Sequence, residues 1–378
     1  MISQNSILAR LVTIMTHDWD AVVIGGGPAG STVARYAAKG GARVLVIDRR
    51  KKIGTPLQCG ELVPTNDELK KLCPDVPFIE DLFQLPDEAI SRFTNSMGLV
   101  TPSSKRLEFP FEGKILNRPI HDQALVKLAT EAGAEYLTES RVNDIVDNKV
   151  ILKNGKEITA KIIVGCGGPH DPLRKKFWNE DSLNIAVNFV LMDGNFDDRV
   201  DLYFGSTAPG GYAWMIPKKG GANIGIGIQT KFSKGKSLNS MAEEFFSKFN
   251  GKITYKGGGV LPMSGTIKNF TKGRYMLVGD SVGMVLPSNG AGITTAMIGG
   301  RIAGQVIAKN ISENSSLDNY QKEWDKQMGK VMKYSKRGIK WGSIMFRSPD
   351  LLVNAAFNPL TKPIIWRAIT CKPMFGIY

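Results

Sequence analysis

Histidine, cysteine and long apolar runs are scarce in this chain of 378 residues. Its four cysteines form no Cys-x-x-Cys pair, which argues against a zinc ribbon or a thioredoxin motif. The three histidines argue against a histidine-rich metal site or a histidine-centred hydrolase, and no metal site is predicted. No apolar stretch reaches the roughly 18 residues of a membrane-spanning helix. The scattered cysteines fit a reducing, cytoplasmic environment.

Positive charge, by contrast, is plentiful. The chain has 49 Lys and Arg against 35 Asp and Glu, a formal net charge of +14. Such a surface attracts lipid head groups, nucleic acid or an acidic redox protein, and charge alone does not choose among them. With 42% hydrophobic and 22% charged residues, the composition is that of a folded protein with one large or two ordinary domains.

Residues 1–14 stand apart from the folded pattern. Arg10 interrupts their short apolar run and no small-residue cleavage site follows, which argues against a signal peptide. Met15 lies just before the first predicted strand. We therefore interpret residues 1–14 as a dispensable N-terminal extension or a misassigned start, with a short membrane-touching segment as the alternative.

The first folded segment reads as a βαβ unit. Residues 20–25 form a short β-branched run that ends in glycines, which predicts a buried strand. Alanines favour a helix over residues 31–39, and residues 43–48 form a second apolar run. Two strands joined by a helix predict a parallel sheet.

Later segments alternate between sheet and helix. The pattern predicts a hairpin over 150–164 around Asn154-Gly155, sheet over 205–228 and a buried strand over 275–280. It predicts a small-residue helix over about 290–309 and a basic helix from about 317 to 340. The remainder, 341–378, is aromatic and broken by prolines.

A Gly-x-Gly-x-x-Gly motif lies between the first strand and the first helix. Gly25 allows the tight turn, Gly27 lets the backbone approach a pyrophosphate, and Gly30 lets the helix pack closely on the strand. Asp48 ends the second strand, where its carboxylate can accept hydrogen bonds from a ribose 2′-hydroxyl. The motif predicts FAD or NAD rather than NADP.

A second motif lies some 250 residues further along the chain. Gly279-Asp280 ends a predicted buried strand, and a Gly-rich loop through Gly292 and Ile293 then begins a helix. Flavoproteins of the glutathione-reductase-like fold use such a Gly-Asp to reach the ribityl or pyrophosphate of FAD. The N-terminal amides of the helix suit the electron-rich edge of a flavin. The two motifs in this order predict FAD.

With these motifs in place, the chain resembles the geranylgeranyl reductase family, particularly the archaeal digeranylgeranylglycerophospholipid reductases. The resemblance covers roughly residues 19–309, and its most specific parts lie at 25–30, 58–61, 212–217 and 279–293. It implies an α/β fold in which a Rossmann-like FAD-binding domain, similar to those of glutathione reductase and p-hydroxybenzoate hydroxylase, carries an inserted antiparallel-sheet substrate domain. A helical C-terminal region follows.

The resemblance also implies domain bounds. The discontinuous FAD-binding domain would comprise 15–90, 115–170 and 270–310, and the sheet-rich substrate domain 91–114 and 171–269. Residues 311–378 would form the basic helical C-terminal region.

Site residues are carried over at matching positions. The implied FAD contacts are Gly25, Gly27, Ala29, Gly30, Asp48, Arg49, Cys59, Gly60, Arg118, Val142, Asp280, Gly292 and Ile293. Cys59 is the candidate catalytic residue, with an open chemical role, against the alternative of a small buried thiol. Tyr212 and Trp214 would line an isoprenoid tunnel, or equally belong to the core. His121 and His170 are interpreted as capping or surface residues.

One departure from the family's pattern falls at 166–168. This chain has Cys166-Gly167-Gly168 where relatives carry Ala-Asp-Gly, although Arg174 still matches the arginine beyond it. The resemblance therefore implies the loss of one structural or flavin-side hydrogen bond.

The implied reaction is saturation of isoprenoid double bonds in geranylgeranylated, archaeal-type membrane lipids by hydride transfer from reduced FAD and protonation. The first alternative is an FAD-dependent aromatic monooxygenase of the same fold. A lycopene-cyclase-like isomerase is a further alternative. A nucleic-acid binder would leave the glycine motifs unexplained, so no nucleic-acid partner is predicted.

A prenylated lipid substrate implies a protein at the inner face of the cell membrane. We expect a cytoplasmic, peripherally attached enzyme with an electron donor such as ferredoxin or NAD(P)H. The aromatic tail is the candidate interfacial segment, or alternatively an ordinary subdomain packed on the core. Its aromatic residues are Trp341, Phe346, Phe357, Trp366 and Phe375.

Overall fold

The computed structural model describes residues 18–180, 182 and 184–374. The predicted extension 1–14 lies outside these residues. The side chains of 341 and 343–347 and all of Phe375 also lie outside the description. No described helix is both long enough and apolar enough to cross a membrane.

The elements follow one another along the chain. The strands are β1 Trp19–Ile24, β2 Val44–Ile47, β3 Leu62–Pro64, β4 Ile90–Val100, β5 Arg106–Leu116, β6 Glu135–Leu137, β7 Val142–Val146, β8 Lys149–Leu152, β9 Glu157–Gly165, β10 Asn184–Asp193, β11 Val200–Tyr203, β12 Tyr212–Lys218, β13 Gly221–Ile228, β14 Lys252–Pro262, β15 Thr271–Lys272 and β16 Tyr275–Leu277. The α-helices are α1 Pro28–Lys39, α2 Asn66–Leu72, α3 Ile79–Leu82, α4 Arg118–Glu131, α5 Pro172–Phe177, α6 Leu238–Phe246, α7 Ile293–Glu313, α8 Asn319–Arg347, α9 Asp350–Ala356 and α10 Lys362–Ile369.

The first sheet has the order β15-β16-β9-β1-β2-β6, and β8 links β9 to β7. Its central strands β9, β1 and β2 are parallel, and their apolar residues are buried on both faces, as expected when helices cover a parallel sheet. Helices α1 and α7 cross closely on this sheet because α7 presents glycines to α1. A Cβ on Gly300 would lie 2.8 Å from the Ala29 carbonyl oxygen, and one on Gly304 would lie 2.6 Å from that of Val33.

The second sheet has the order β14-β10-β13-β12-β11-β4-β5-β3. Its pairs are antiparallel except β11 with β4. Alternation along β12 and β13 gives this sheet two different faces. Ile224 and Ile226 pack beneath Met241 and Phe245 of α6, whereas Trp214 and Ile216 belong to a separate apolar cluster on the opposite face.

The elements predicted from sequence are largely confirmed. The βαβ unit, the hairpin of β8 and β9, and the helices near 290–309 and 317–340 are all present. Several strands of the second sheet, including β3, are not among the elements predicted from sequence. Strand β3 (Leu62–Pro64) lies within the 15–90 segment assigned to FAD binding but pairs with β5, so that Leu62 lies opposite Ile115 and Pro64 opposite Gly113.

Candidate cofactor and substrate site

A cavity of about 970 Å³ extends between the two sheets. All the predicted site residues except Gly30 line it, including Cys59, Tyr212 and Trp214. This volume lies at the upper end of the usual range for ligand pockets. One end is polar and glycine-rich, and the other is apolar and aromatic.

The glycine turn forms the polar end. Gly25 has a φ of 100°, and a Cβ there would lie 2.6 Å from the Cys166 carbonyl oxygen. A Cβ on Gly30 would overlap the Gly25 carbonyl oxygen, which explains why Gly30 packs behind the turn rather than in the cavity. A Cβ on Gly27, in contrast, would meet no other atom within 4 Å. The open space therefore lies over Gly27, where a pyrophosphate would approach the backbone.

Asp48 holds this turn from the end of β2. Its carboxylate accepts hydrogen bonds from the Gly26 amide and the Arg50 amide, both at 2.8 Å. A carboxylate has further lone pairs beyond these two bonds, and Asp48 lines the cavity. The residue thus fixes the glycine turn while remaining able to accept from a ribose hydroxyl.

Asp280 reaches the cavity from a distant part of the chain. It follows β16, whose pairing with β9 brings it beside the glycine turn. Gly279 has a φ of 73°, and a Cβ there would lie 2.8 Å from the Ala29 Cβ. Among the described residues, no hydrogen-bond donor reaches the Asp280 carboxylate. Burial raises the pKa of Asp280 to about 6, while the positive charge of Arg118 acts to lower it. A half-buried carboxylate that faces the cavity fits a hydroxyl-bearing ligand such as the ribityl chain of FAD.

Arg118 is held in place at the first turn of α4. Its Nε and Nη2 each donate to the Asp122 carboxylate at 2.9 Å, and His121 Nδ1 lies 2.7 Å from the same carboxylate. Although burial opposes it, Arg118 holds the pKa of Asp122 below its ordinary value. The interpretation of His121 as a capping or surface residue is wrong, because His121 is 1% exposed and supports Asp122. His170 is exposed at the cavity rim.

The Cys59 turn is held by a buried polar network that sequence reasoning missed. Glu61, with a φ of 70° and 1% exposure, accepts from Lys218 Nζ at 2.6 Å and from Asn223 Nδ2 at 3.1 Å. Asn223 Nδ2 also donates to the Cys59 carbonyl oxygen at 2.8 Å, and its Oδ1 accepts from Trp214 Nε1 at 2.9 Å. The network joins the Cys59 turn to β12 and β13. Glu61 belongs to the motif at 58–61, but no spacing in the sequence signals its partners.

Cys59 itself is a protonated thiol at the cavity wall. Its sulfur accepts from the Glu61 amide at 3.1 Å. Burial raises the pKa of the Cys59 thiol, although nearby Arg118 opposes this rise. The sulfur therefore keeps its proton at neutral pH, in a position that faces the cavity.

The missing carboxylate at 167 is replaced from nearby in the sequence. Asp171 is fully buried, and its carboxylate accepts from the Gly167 amide at 2.6 Å and from the Arg174 amide at 3.0 Å. Burial raises the pKa of Asp171 to about 6. The expected loss of a hydrogen bond is therefore offset, because the Asp171 carboxylate accepts from the backbone amide of Gly167.

Aromatic and aliphatic side chains form the other end of the cavity. Trp214 and Tyr212 line this region and also pack in its apolar cluster. Each residue is therefore both part of the cavity lining and part of the core. The Tyr212 hydroxyl donates to the Asn289 carbonyl oxygen at 2.7 Å, which ties β12 to the loop before α7. Other apolar lining residues are Met97, Phe111, Phe189, Leu202, Ile216, Trp366 and Ile369.

The C-terminal aromatic residues that can be placed face the protein. Phe357 is 6% exposed and packs on Phe204, with ring centroids 5.7 Å apart. Trp366 stacks on Phe109 with centroids 4.5 Å apart and lines the cavity. The interfacial role predicted for Phe357 is wrong, because its ring is buried. Trp366 is half-buried, and for it the interfacial role stays a prediction. For Trp341, Phe346 and Phe375 the prediction falls on side chains outside the described residues.

Comparison with family models adds two matches. The FAD dependent oxidoreductase model matches residues 20–171, which include the glycine turn, Cys59 and Arg118. The geranylgeranyl reductase catalytic domain model matches residues 182–260, which include Tyr212, Trp214 and most of the second sheet.

Curated relatives match along nearly the whole chain. Digeranylgeranylglycerophospholipid reductase 3 of Methanosphaera stadtmanae is 33% identical, covering 94% of this chain and 96% of its own. Digeranylgeranylglycerophospholipid reductase of Methanocella arvoryzae is 31% identical, covering 92% of each.

Solved structures show the same fold. A geranylgeranyl bacteriochlorophyll reductase-like protein from Thermoplasma acidophilum superposes with a TM-score of 0.79 at 24% identity, covering 93% of this chain and 91% of its own. A flavin-dependent brominase superposes with a TM-score of 0.69 at 19% identity, covering 94% of each. At these identities the similarity establishes the fold alone.

Proposed function

This chain belongs to the geranylgeranyl reductase family and is an FAD-dependent oxidoreductase, and from that premise we propose that it saturates isoprenoid double bonds of geranylgeranylated, archaeal-type glycerophospholipids. Two relatives of about one-third identity are named for that reaction, and the similarity extends over nearly their full length.

The observation that carries the proposal is one cavity with two chemical characters. The glycine turn, Asp48 and Asp280 provide the polar end, and an aromatic and aliphatic lining provides the other. A prenyl chain buried among apolar side chains gains about 0.8 kcal/mol per CH₂, so the second end is suited to an isoprenoid. A polar or charged substrate would gain nothing from this lining.

The reaction assigns tasks to particular residues. Reduced FAD, when bound, would supply the hydride for the carbon–carbon double bond, with its two electrons drawn from the electron donor. Gly27, Asp48 and Asp280 would hold the cofactor, and the apolar lining would orient the alkene and exclude water. An unactivated alkene has no carbonyl to polarise, so positioning and a nearby proton are what the chain must supply. Cys59 offers a protonated thiol at the cavity wall.

The role of Cys59 is tested by replacing it with alanine. We expect Cys59→Ala to retain its flavin spectrum and to slow lipid reduction by roughly 10²-fold, the effect of removing a positioned proton donor. Cys59→Ser, which keeps a hydroxyl donor of similar size, should fall between the two. Unchanged reduction by Cys59→Ala would assign the proton to another group.

The cellular setting is part of the proposal. The net charge of +14 favours an anionic membrane surface, and a membrane lipid substrate requires access to one. We place the enzyme peripherally at the inner face of the cell membrane. Its electron donor would be ferredoxin or NAD(P)H; the basic surface favours an acidic protein such as ferredoxin.

The aromatic monooxygenase alternative has less support. Monooxygenases and halogenases of this fold superpose on the chain at under 25% identity, which establishes architecture and not chemistry. The curated relatives of about one-third identity bear the reductase name instead.

The deciding experiment is anaerobic. Purified FAD-loaded protein is reduced with dithionite and incubated with a geranylgeranylated glycerophospholipid in detergent, and the lipid mass is followed. We expect a gain of about two mass units per saturated double bond, with no gain when dithionite is omitted. An unchanged lipid beside fully reduced flavin would overturn the proposal. Oxygen uptake with an aromatic substrate would then support the monooxygenase.

A further inference from the structure

The C-terminal helices expose leucines that none of the described residues covers. Leu351 is 77% exposed, Leu352 is 54% exposed, and Leu360 in the turn after α9 is 89% exposed. The three residues lie within ten positions of one another in the sequence, and we call them together the leucine surface.

The orientation of α9 keeps the leucine surface directed outward. The Asp350 carboxylate accepts from the Ser206 amide at 2.9 Å and from the Ser206 hydroxyl at 2.5 Å. One turn later, Asn354 Oδ1 accepts from the Ser103 amide at 3.1 Å. Val353, between these anchors, is 1% exposed. The helix is thus fixed by one side, and Leu351 and Leu352 lie on the other.

Positive charge accompanies this surface. Residues 351–374 contain Lys362, Arg367 and Lys372 but no Asp or Glu. The adjoining helix α8 is also basic, with eight Lys and Arg against two acidic residues. Exposed leucine beside Lys and Arg matches the interface of an anionic bilayer, in which apolar side chains enter the acyl boundary and cations meet the head groups.

The leucine surface lies one helix away from the apolar end of the cavity. Trp366 and Ile369 of α10 line the cavity, and Phe357 at the end of α9 belongs to the same apolar cluster. The segment that exposes Leu351 and Leu360 therefore leads directly into the helix that lines the predicted prenyl site.

We propose that Leu351, Leu352 and Leu360 are the surface by which the protein rests on an anionic lipid leaflet, with the apolar end of its cavity directed toward the membrane. We choose a bilayer as the partner because of the charge pattern. The benefit of this contact, access to a lipid substrate, rests on the proposed function. A second copy of this chain would bring two strongly basic surfaces together, which charge disfavours.

The test compares two paired substitutions in vesicle co-sedimentation. Leu351→Ser/Leu360→Ser removes the most exposed leucines, and Phe78→Ser/Phe93→Ser removes side chains that are 74% and 60% exposed elsewhere in the fold. Vesicles contain phosphatidylglycerol with phosphatidylcholine. We expect the leucine pair to lower the partition coefficient by roughly tenfold and the phenylalanine pair to leave it near the wild-type value. Binding of the wild type should weaken with added salt.

Activity with detergent-dispersed lipid separates this proposal from the proposed function. The leucine pair should reduce such lipid at the wild-type rate, because neither residue lines the cavity.

Equal vesicle binding by the leucine pair and the wild type would overturn the proposal. An equal loss of vesicle binding in the phenylalanine pair would overturn it as well. A wild-type dimer that the leucine pair converts to monomer would assign the surface to self-association instead. Vesicle binding through the leucines by a protein that reduces no prenyl lipid would leave the surface standing and overturn the proposed function alone.

Discussion

Individual side chains in this site hold the backbone as much as they face the cavity. Glu61 connects the Cys59 turn to Lys218 and Asn223 of the second sheet, and Asp48 connects the glycine turn to the loop after β2. Glu61 adopts a φ of 70°, which a side chain tolerates only when its surroundings fix it. The buried Glu61 carboxylate accepts from Lys218, from Asn223 and, at 3.4 Å, from the Arg118 amide, and these donors provide such surroundings.

The Glu61 network predicts a loss of both stability and activity in Glu61→Gln. The variant leaves the half-buried Lys218 ammonium without its anionic partner, so we expect the free energy of unfolding to fall by about 2–3 kcal/mol. Because the network orients Cys59 and Trp214, kcat should fall even at temperatures where the variant is fully folded. Thermal denaturation and lipid reduction measure the two effects.

The control is the double variant Glu61→Gln/Lys218→Met. Removing both charges should restore part of the stability, and the double-mutant cycle isolates the pair. Additive losses would show that Lys218 and Glu61 do not depend on each other.

Asp280 predicts a pH effect in the FAD-free protein. Burial raises the pKa of Asp280 to about 6 from 3.8, so ionising it destabilises the folded state increasingly from about pH 4 to pH 6. Asp280→Asn removes this cost. At about pH 8 the variant should be more stable than wild type by about 1–2 kcal/mol, a figure reduced because the carboxylate faces the cavity, and at about pH 4 the two should match.

The same variant should bind FAD more weakly than wild type, because the ribityl contact loses its charged acceptor. Melting temperatures of the FAD-free proteins across this pH range and FAD titration provide the measurements. A stability difference that does not change with pH would contradict the assigned ionisation.

At the scale of elements, local turn chemistry made the cofactor end predictable. The glycine spacing between β1 and α1, the acidic residue after β2 and the Gly-Asp after β16 depend on short stretches of sequence, and each lines or supports the cavity. The strand Leu62–Pro64 and the Glu61 network could not be predicted in this way. Both depend on pairing between segments that are distant in sequence, and no short-range period records such pairing.

Two glycines of one turn should respond differently to alanine. A Cβ on Gly30 overlaps the Gly25 carbonyl oxygen, so Gly30→Ala should force α1 away from β1 and cost about 1–3 kcal/mol of stability. Gly27→Ala meets no atom within 4 Å in the folded chain and should keep the wild-type melting temperature without FAD.

Gly27→Ala should nevertheless weaken FAD binding by about tenfold or more, because its methyl group would occupy the approach of the pyrophosphate. Flavin fluorescence titration and thermal unfolding separate the two variants. Wild-type FAD affinity in Gly27→Ala would place the phosphates elsewhere.

At the scale of the molecule, two sheets and the C-terminal helices enclose one cavity. The sequence indicated a substrate region with Tyr212 and Trp214, but it did not indicate that α10 completes the lining with Trp366 and Ile369. The resemblance covers roughly residues 19–309, and only the folded chain shows where the tail packs. The bounds of the two domains stay a prediction.

The enclosure predicts selectivity for prenyl length. Ile369→Trp fills the apolar end, so kcat/KM should fall strongly for a geranylgeranyl lipid and little for a geranyl lipid, whose shorter chain leaves that end empty. Competition between the two lipids, followed by mass, measures the ratio. The conservative Ile369→Leu should keep the wild-type ratio. An equal loss for both lipids would mean that the chain does not reach α10.

The parallel pairing of β16 with β9 also bears on how the protein is made. Strands β1, β2 and β9 are synthesised in the first half of the chain. One edge of β9, at 163–165, pairs only with residues 275–277, which are made much later. The Ser281 hydroxyl then donates to the Gly165 carbonyl oxygen. Asp280 and the start of α7 emerge from the ribosome only after the whole second sheet. A nascent chain therefore carries an open strand edge and an incomplete nucleotide pocket until more than three-quarters of it has been translated. Cofactor capture must be a late event, and chaperone protection should matter most during that interval.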